Sequence, residues 1–245
     1  MLRYHLKIKF CGTYFSGWLK QPQLRTVEGV LLESLESLLK QKVKLVGCSR
    51  TDAGVHALEY QVHFDVEKNT IPLDVFPQVL NQKLPSDIVS FFIAPVDKNF
   101  HVIQNVKNKT YRYVIKNEKF KDPFEQDRYW HIPFFLDWGL IQEASLSFVG
   151  KHDFKSFCCE PDRVKTHIRH VLSLKWFYSC GYWMMEITAN GFLYNMIRII
   201  MGTLIDVGRG HKKKESILNI LQARDRRLAG PTAPARGLYL LRTTF

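Results

Sequence analysis

The segment Gly47 to Ala57 holds the side chains best suited to chemistry. It places Arg50, Thr51 and Asp52 beside a glycine turn, between two apolar runs that are typical of β-strands. A loop joining the strands of a rigid scaffold can keep a reactive group exposed yet oriented, so the chemistry is expected in this loop, with its Arg50 and Asp52. Asp-Ala-Gly is also ordinary turn chemistry, because Asp52 can accept a hydrogen bond from the amide of Gly54. The carboxylate alone therefore does not establish a catalytic site.

Arg198 lies in an apolar segment that runs from Phe192 to Val207 and has almost no polar face. Removing an unpaired guanidinium from water costs several kcal/mol, so these surroundings predict an anionic partner. Asp52, from the other half of the chain, is the candidate. The alternative is that the stem of Arg198 passes its apolar neighbours and the charged head reaches solvent or a substrate phosphate.

Tyr111 and Tyr113 alternate with Arg112 in a strand-like run, so the two phenol rings point to the same side. Such rings can form a platform on which a nucleotide base stacks. Core tyrosines show the same pattern, which leaves both interpretations open.

The charge balance predicts a polyanionic partner. Of 245 residues, Lys and Arg contribute 35 and Asp and Glu 23, which gives a formal net charge of +12. The basic residues are spread among strand-like segments rather than along one amphipathic helix, which favours nucleic acid over a membrane surface. The most apolar stretch, residues 192–207, contains Asn195, Arg198 and Asp206 and is too short to cross a bilayer. No membrane association is expected.

The cysteines predict neither a metal site nor a disulfide framework. There are five, with no Cys-x-x-Cys pair and no Cys/His spacing suited to zinc, so reduced thiols and a cytoplasmic location are expected. No residue near His56 or His63 in the sequence completes a Ser-His-Asp or Cys-His arrangement.

Apolar periodicity predicts the helices and strands. In the first half, strands are expected at residues 2–10, 43–48, 59–66, 88–96 and 110–116, with helices after an N-cap at Thr26 and at about 73–84. In the second half, Asp137 caps a helix to about residue 149, and residues 171–177 and 182–188 form a hairpin. Helices at about 192–207 and 216–223 and a strand at 238–243 complete the chain.

Both halves mix strands and helices, with hairpins in place of regular βαβ alternation. This pattern predicts an α+β fold built on a mostly antiparallel sheet. Between Asn117 and Pro133 the periodicity gives way to charged and aromatic residues, so two domains are expected, residues 1–117 with the Asp52 loop and residues 118–245.

The chain resembles the TruA family of tRNA pseudouridine synthases. The resemblance rests on motifs that follow one another in family order across nearly the whole chain. They are Gly12-Thr13-x-x-x-Gly17-Trp18, the Gly47 to Ala57 segment around Arg50-Thr51-Asp52, Lys109-Thr110-Tyr111-Arg112-Tyr113, Asn190-Gly191-Phe192-Leu193-Tyr194-Asn195-Met196-Ile197-Arg198, and Ala233-Pro234-Ala235-Arg236-Gly237-Leu238-Tyr239-Leu240.

The resemblance implies a pseudouridine-synthase fold, with a mixed, mostly antiparallel central sheet spanning two domains, flanking helices and a basic cleft. It also implies a homodimer that isomerises uridine to pseudouridine at positions 38, 39 and 40 of the tRNA anticodon arm without cofactor or metal. By their place in the motifs, Asp52 matches the nucleophile, Arg198 its basic partner, Tyr111 the tyrosine near the target base, and Arg50 the arginine that helps to extrude that base.

Two other functions fit the residues. A non-catalytic tRNA-binding or RNA-folding protein would use the basic residues alone, and Lys212 to Lys214 would then matter more than Asp52. A metal-independent hydrolase of nucleosides or glycosides would use Asp52 as nucleophile, although the motif lacks the second carboxylate that glycosidases employ.

Overall fold

In a computed structural model that describes residues 1–245, the chain forms two compact units. The first comprises Met1–Lys107 together with Tyr239–Phe245, and the second comprises Asn108–Leu238.

Ten strands and five α-helices, with several short 3₁₀ turns, make up these units. In chain order they are β1 (Leu2–Phe10), α1 (Val27–Leu39), β2 (Lys44–Gly47), β3 (His56–Val66), α2 (Phe76–Asn81), β4 (Ile88–Val96), β5 (Asn108–Lys116), β6 (Trp130–His131), α3 (Trp138–Ser145), β7 (Gly150–Asp153), β8 (Ile168–Ser179), β9 (Tyr182–Ala189), α4 (Met196–Gly208), α5 (Ser216–Ala223) and β10 (Leu238–Thr244).

In the first unit the strands are ordered β4-β1-β3-β10, and β2 also pairs with β3. β1 pairs antiparallel with β3 and β4, while β10 pairs parallel with the start of β3 through Tyr239 opposite His56. From Tyr4 to Phe10 the even-numbered residues of β1 are buried and the odd-numbered ones are at least partly exposed, as expected for a sheet with one covered face. Phe64 on β3 lies 5.5 Å from Tyr4 and 6.1 Å from Phe76 of α2, between ring centroids, which ties this helix to the sheet.

The predicted N-cap of α1 is confirmed. Thr26 has extended backbone angles, and its hydroxyl accepts a hydrogen bond from the Gly29 amide at 3.3 Å. Val27, Leu31 and Leu35 are fully buried, so the apolar face of the helix joins the core of the first unit.

In the second unit the strands are ordered β5-β9-β8-β7, and the short β6 pairs parallel with β5. The predicted β8–β9 hairpin is confirmed, with a two-residue turn at Cys180 and Gly181. Both turn residues have positive φ, 51° and 82°, as a type I′ turn requires.

Helix α4 packs very closely against residues 230–231. A Cβ added to Gly202 would lie 1.8 Å from the carbonyl oxygen of Pro231, so only glycine allows the two backbones to meet. The adjacent Thr203 hydroxyl accepts from the Gly230 amide at 2.8 Å and donates to the Ile199 carbonyl at 2.7 Å. Residues 230–231 are thereby fixed against the middle of α4.

Three predicted helices differ at their ends. α2 covers only Phe76–Asn81, and α3 stops at Ser145, where a single 3₁₀ turn follows. α4 begins at Met196 rather than near residue 192, because Asn195 has φ 60° and so interrupts the right-handed helix. Apolar periodicity continues through each of these ends, so it does not predict where the helices begin or stop.

The two units also differ from the domains expected at 1–117 and 118–245. β5 pairs with β9 along seven residues, from Lys109 to Ile115, and therefore belongs to the second unit. The segment between residues 117 and 133 packs within that unit, since Asn117 Nδ2 donates to the Ile132 carbonyl at 2.9 Å and Tyr129 is buried. Strand β10 returns to the first unit by pairing with β3.

The predicted α+β class with mostly antiparallel strand pairing is confirmed. None of the helices has both the length and the apolar character needed to span a bilayer.

We expect Gly202→Ala to lower the free energy of unfolding by roughly 3 kcal/mol, because its methyl group would force the α4 and Pro231 backbones apart. Urea denaturation followed by circular dichroism measures the change. Gly191→Ala is the matched control, since the nearest atom to its added Cβ is a side-chain nitrogen 3.7 Å away. Equal stabilities of the two variants would contradict the close contact.

Candidate active site

The loop that carries Asp52, residues 48–55, connects β2 to β3 in the first unit. It begins where the Cys48 amide donates to the Gln61 carbonyl at 2.9 Å, and it ends in a turn in which the Val55 amide donates to the Asp52 carbonyl at 3.2 Å. Gly54 has φ 78°, a conformation that glycine adopts without strain. We call these residues the Asp52 loop.

A second segment, residues 12–18, braces the Asp52 loop through backbone contacts. The Trp18 amide donates to the Thr51 carbonyl at 3.1 Å, and the Gly54 amide donates to the Phe15 carbonyl at 3.3 Å. Gly17 has φ 91°, and a Cβ there would lie 2.7 Å from Thr51 O and 3.3 Å from the carbonyl carbon of Asp52. Because the backbones touch directly, the position of Asp52 does not depend on flexible side chains.

Gly12, at the start of the bracing segment, makes the other close approach. Its added Cβ would lie 2.0 Å from the Val55 carbonyl oxygen, so a larger residue would push the end of the Asp52 loop away. Gly12 and Gly17 therefore allow residues 12–18 and the Asp52 loop to pack backbone against backbone.

Aromatic side chains hold the entry of the loop. Trp18 stacks on Tyr60 of β3 with ring centroids 4.2 Å apart, and Gly47 leaves room for both rings. The Tyr60 hydroxyl donates to the Ser49 carbonyl and accepts from the Ser49 amide at 3.3 Å. Trp18 and Tyr60 are almost completely buried, so this support belongs to the core of the first unit.

The side chains of the loop differ in environment. Asp52 is half-buried, whereas Arg50 is exposed and makes no hydrogen bond or ion pair. The hydroxyl of Thr51 is buried without a hydrogen-bond partner. A buried hydroxyl without a hydrogen-bond partner typically costs about 1–3 kcal/mol.

A Cys-His contact lies beside the loop, contrary to the expectation from the sequence. His56, the first residue of β3, stacks on Tyr239 at 4.6 Å, and its Nδ1 accepts from the Gly12 amide at 3.0 Å. Burial raises the pKa of the Cys11 thiol, but hydrogen bonding with His56 and Thr13 outweighs it and lowers the pKa to about 6. The pair was missed because 45 residues separate its members and strand pairing brings them together.

Arg198 lies in the first turn of α4 and is half-buried. Its Nε donates to the Ala233 carbonyl at 2.7 Å, and its Nη1 donates to the Asn195 side-chain oxygen at 2.8 Å. The guanidinium is therefore held by its own unit on two sides.

Tyr111 lies on β5 and is nearly buried, with its ring edge-to-face against Phe192 at 5.2 Å between centroids. Tyr113 is fully buried, and its hydroxyl donates to the Pro234 carbonyl at 2.7 Å. For Tyr113 the core interpretation is confirmed.

The structure thus assigns Arg50 and Asp52 to the first unit and Tyr111 and Arg198 to the second. The pairing of Asp52 with Arg198 and the roles of all four residues stay predictions. No group of three or more His, Cys, Asp or Glu side chains is arranged to hold a metal ion.

Comparison with known proteins assigns the family. The family model described as tRNA pseudouridine synthase matches residues 7–104 and 144–245, ranges that include Arg50, Asp52 and Arg198 but not Tyr111. The tRNA pseudouridine synthase A of Caldicellulosiruptor saccharolyticus is 39% identical over 240 residues, 98% of this chain and 98% of the relative. That of Bacillus licheniformis is 39% identical over 246 residues, 100% of this chain and 99% of the relative. The chain belongs to the tRNA pseudouridine synthase family, a family of isomerases.

We expect alkylation of Cys11 by iodoacetamide to be half-maximal near pH 6, because the thiolate that reacts persists down to its lowered pKa. Site-resolved mass spectrometry at a series of pH values measures the rate. In Thr13→Val, which loses the hydroxyl 3.3 Å from Cys11 Sγ, the midpoint should move to higher pH. A wild-type midpoint near the ordinary thiol value of 9.0 would contradict this assignment.

Proposed function

We propose that the protein isomerises uridine to pseudouridine at positions 38, 39 and 40 of the tRNA anticodon arm, with Asp52 as nucleophile. The observation that carries this proposal is a half-buried carboxylate on a loop whose backbone is braced by glycine contacts, in a chain of this family. A net charge of +12 suits a tRNA substrate, and the five free cysteines suit a reducing cytoplasm. A homodimer without a cofactor is part of the proposal.

The chemistry requires little beyond a nucleophile and a closed pocket. The bond from ribose C1′ to uracil N1 breaks, the uracil turns, and C1′ joins C5, which gives up its proton while N1 gains one. The product is an isomer of the substrate, because the proton lost from C5 is balanced by the one gained at N1, so no oxidant, reductant or water is consumed. Covalent catalysis by one carboxylate can divide this exchange into two easier steps.

Arg50 and Tyr111 are proposed to act on the base. Taking a nucleotide out of its stack costs a few kcal/mol. A cation that fills the position left by the base can offset this cost. Arg50 is exposed and makes no hydrogen bond or ion pair, so it is available to contact RNA. Tyr111 is held by Phe192 and offers a fixed ring beside which the extruded base can lie.

Arg198 is proposed to keep Asp52 ionised. A carboxylate is the better nucleophile in its charged form, and a nearby guanidinium favours that form. The contacts of Arg198 with Ala233 and Asn195 support this role, because a cation fixed in orientation can present its remaining N–H groups in one direction.

Two observations weigh against an RNA-binding protein that relies on Lys212 to Lys214. Lys212 donates to the Leu228 carbonyl at 3.0 Å, and Lys214 forms an ion pair with Glu143. Both ammonium groups therefore have partners in the protein itself.

We expect Asp52→Asn to lower the rate of pseudouridine formation by roughly 10³-fold or more, since an amide of the same shape is a poor nucleophile. Release of tritium from C5 of labelled uridine in tRNA measures turnover, and filter binding checks that affinity for tRNA changes less than about threefold. Asp65→Asn, which alters a carboxylate paired with Arg3, is the control.

Turnover of Asp52→Asn near the wild-type rate would remove Asp52 from its role. Wild-type binding of tRNA without any pseudouridine would favour the non-catalytic alternative, and release of free uracil would favour a hydrolase. Mapping of the modified sites tests the three positions separately from the chemistry.

We expect both Arg198→Lys and Arg198→Met to lower kcat by at least about 10-fold, although lysine keeps the charge. A point ammonium cannot reproduce the planar arrangement of donors that Nε and Nη1 maintain. Single-turnover kinetics on tRNA measure the rate constant. If Arg198→Lys retained the wild-type value while Arg198→Met lost it, charge alone would matter and the geometric argument would be wrong.

A further inference from the structure

Asn195, the residue before α4, has a left-handed backbone conformation and binds Arg198 through its side chain. Asn195 occupies the N-cap position with φ 60°, but its side chain does not cap the helix. Its Oδ1 instead accepts from Nη1 of Arg198 at 2.8 Å. Asparagine is one of the few residues that tolerate this backbone region and also offer a short side-chain acceptor.

On the other side, the guanidinium is bound by a backbone carbonyl. Ala233 is fully buried, and its carbonyl accepts from Nε of Arg198 at 2.7 Å while its amide donates to the Arg198 carbonyl at 3.0 Å. One residue thus fixes both the backbone and the side chain of Arg198. The position of the guanidinium depends on where residue 233 is held.

Tyr113 holds the neighbouring residue. Its hydroxyl donates to the Pro234 carbonyl at 2.7 Å, and its ring packs so closely on Gly237 that a Cβ there would lie 2.7 Å from the Tyr113 Cε1 atom. Burial raises the pKa of Tyr113 well above its ordinary value, against the opposing effect of Arg198 and Arg236, so the phenol stays a hydrogen-bond donor.

The rest of the segment is anchored independently. The Gly230 amide binds Thr203 of α4, and Arg226 donates to the Gly230 carbonyl at 2.9 Å and to the Thr232 hydroxyl at 3.2 Å. Residues 230–234, which include the Arg198 partner Ala233, are therefore held by α4 at one end and by Tyr113 at the other.

We propose that Tyr113 and Asn195 are positioning residues for Arg198, which together fix the plane of its guanidinium for the reaction. Asn195 acts directly at Nη1, and Tyr113 acts through the Pro234 and Ala233 backbone at Nε. Two hydrogen bonds at different nitrogens of a planar group define both its place and its tilt. The inference rests on the proposed catalytic role of Arg198.

The kinetic test uses variants that remove only the positioning group. Tyr113→Phe deletes the hydroxyl and keeps the ring, and Asn195→Gly deletes the side chain while tolerating the positive φ. Tyr129→Phe is the matched control, because Tyr129 is equally buried in the same unit and its hydroxyl donates to another carbonyl, that of Asp122, at 3.3 Å.

We expect kcat on tRNA to fall about 10- to 100-fold in Tyr113→Phe and in Asn195→Gly, with KM changed less than about threefold, and to be unchanged in Tyr129→Phe. When Arg198 is already replaced by lysine, each of the two substitutions should lower kcat less than about threefold, because their effect passes through the guanidinium. Wild-type kcat in both variants, or full multiplication of their effects with that of Arg198→Lys, would overturn the proposal.

A measurement that does not need activity separates this inference from the function. The Nε–H signal of Arg198, assigned by its loss in Arg198→Lys, should exchange slowly with solvent in the wild-type protein. Exchange should accelerate at least about 10-fold in Tyr113→Phe and Asn195→Gly but not in Tyr129→Phe. If Arg198→Lys were fully active, the proposed catalytic role of Arg198 would be wrong, whereas the exchange result would still hold. Unchanged Nε–H exchange in both Tyr113→Phe and Asn195→Gly would refute the positioning.

Discussion

The direct contact between two backbones in the first unit is the constraint on which the site depends. Gly12 and Gly17 bring residues 12–18 against the Asp52 loop, at distances that a Cβ would forbid. A loop held only by side chains would leave its carboxylate mobile over the distances that matter in catalysis, whereas amide-to-carbonyl contacts at Thr51 and Gly54 fix the chain on both sides of Asp52. Because Gly12 and Gly17 have no side chain, the two backbones can approach closely enough for these contacts.

The second unit uses the same device around Arg198. Gly202 and Gly237 permit close approach of residues 230–237 to α4 and to Tyr113, so a backbone carbonyl reaches the guanidinium. In each unit a charged candidate residue is placed by a nearby segment that is distant in sequence, and glycine is the residue that makes the approach possible. Substitutions at these glycines should therefore act on function through position rather than through chemistry.

Local sequence patterns were sufficient for most of the elements. β1 and α5 have the predicted limits, and Thr26 and Asp137 cap the predicted helices, because alternation and capping are properties of neighbouring residues. The ends of α2, α3 and α4 could not be predicted in this way. At α4, for example, Asn195 has a left-handed conformation and binds Arg198 through its side chain, and the apolar run gives no sign of either.

The sequence by itself determined the α+β class, the family and the residue types of the candidate site, since motifs and periodicity are written along the chain. Only the tertiary structure decided which distant residues meet: Cys11 with His56, Tyr113 with Pro234, and β10 with β3 in place of a simple division into two halves. The physical reason is that strand pairing and close backbone contact join residues tens of positions apart. The energies of these contacts depend on how the parts of the chain fit together in three dimensions, which the order of residues along the chain does not show.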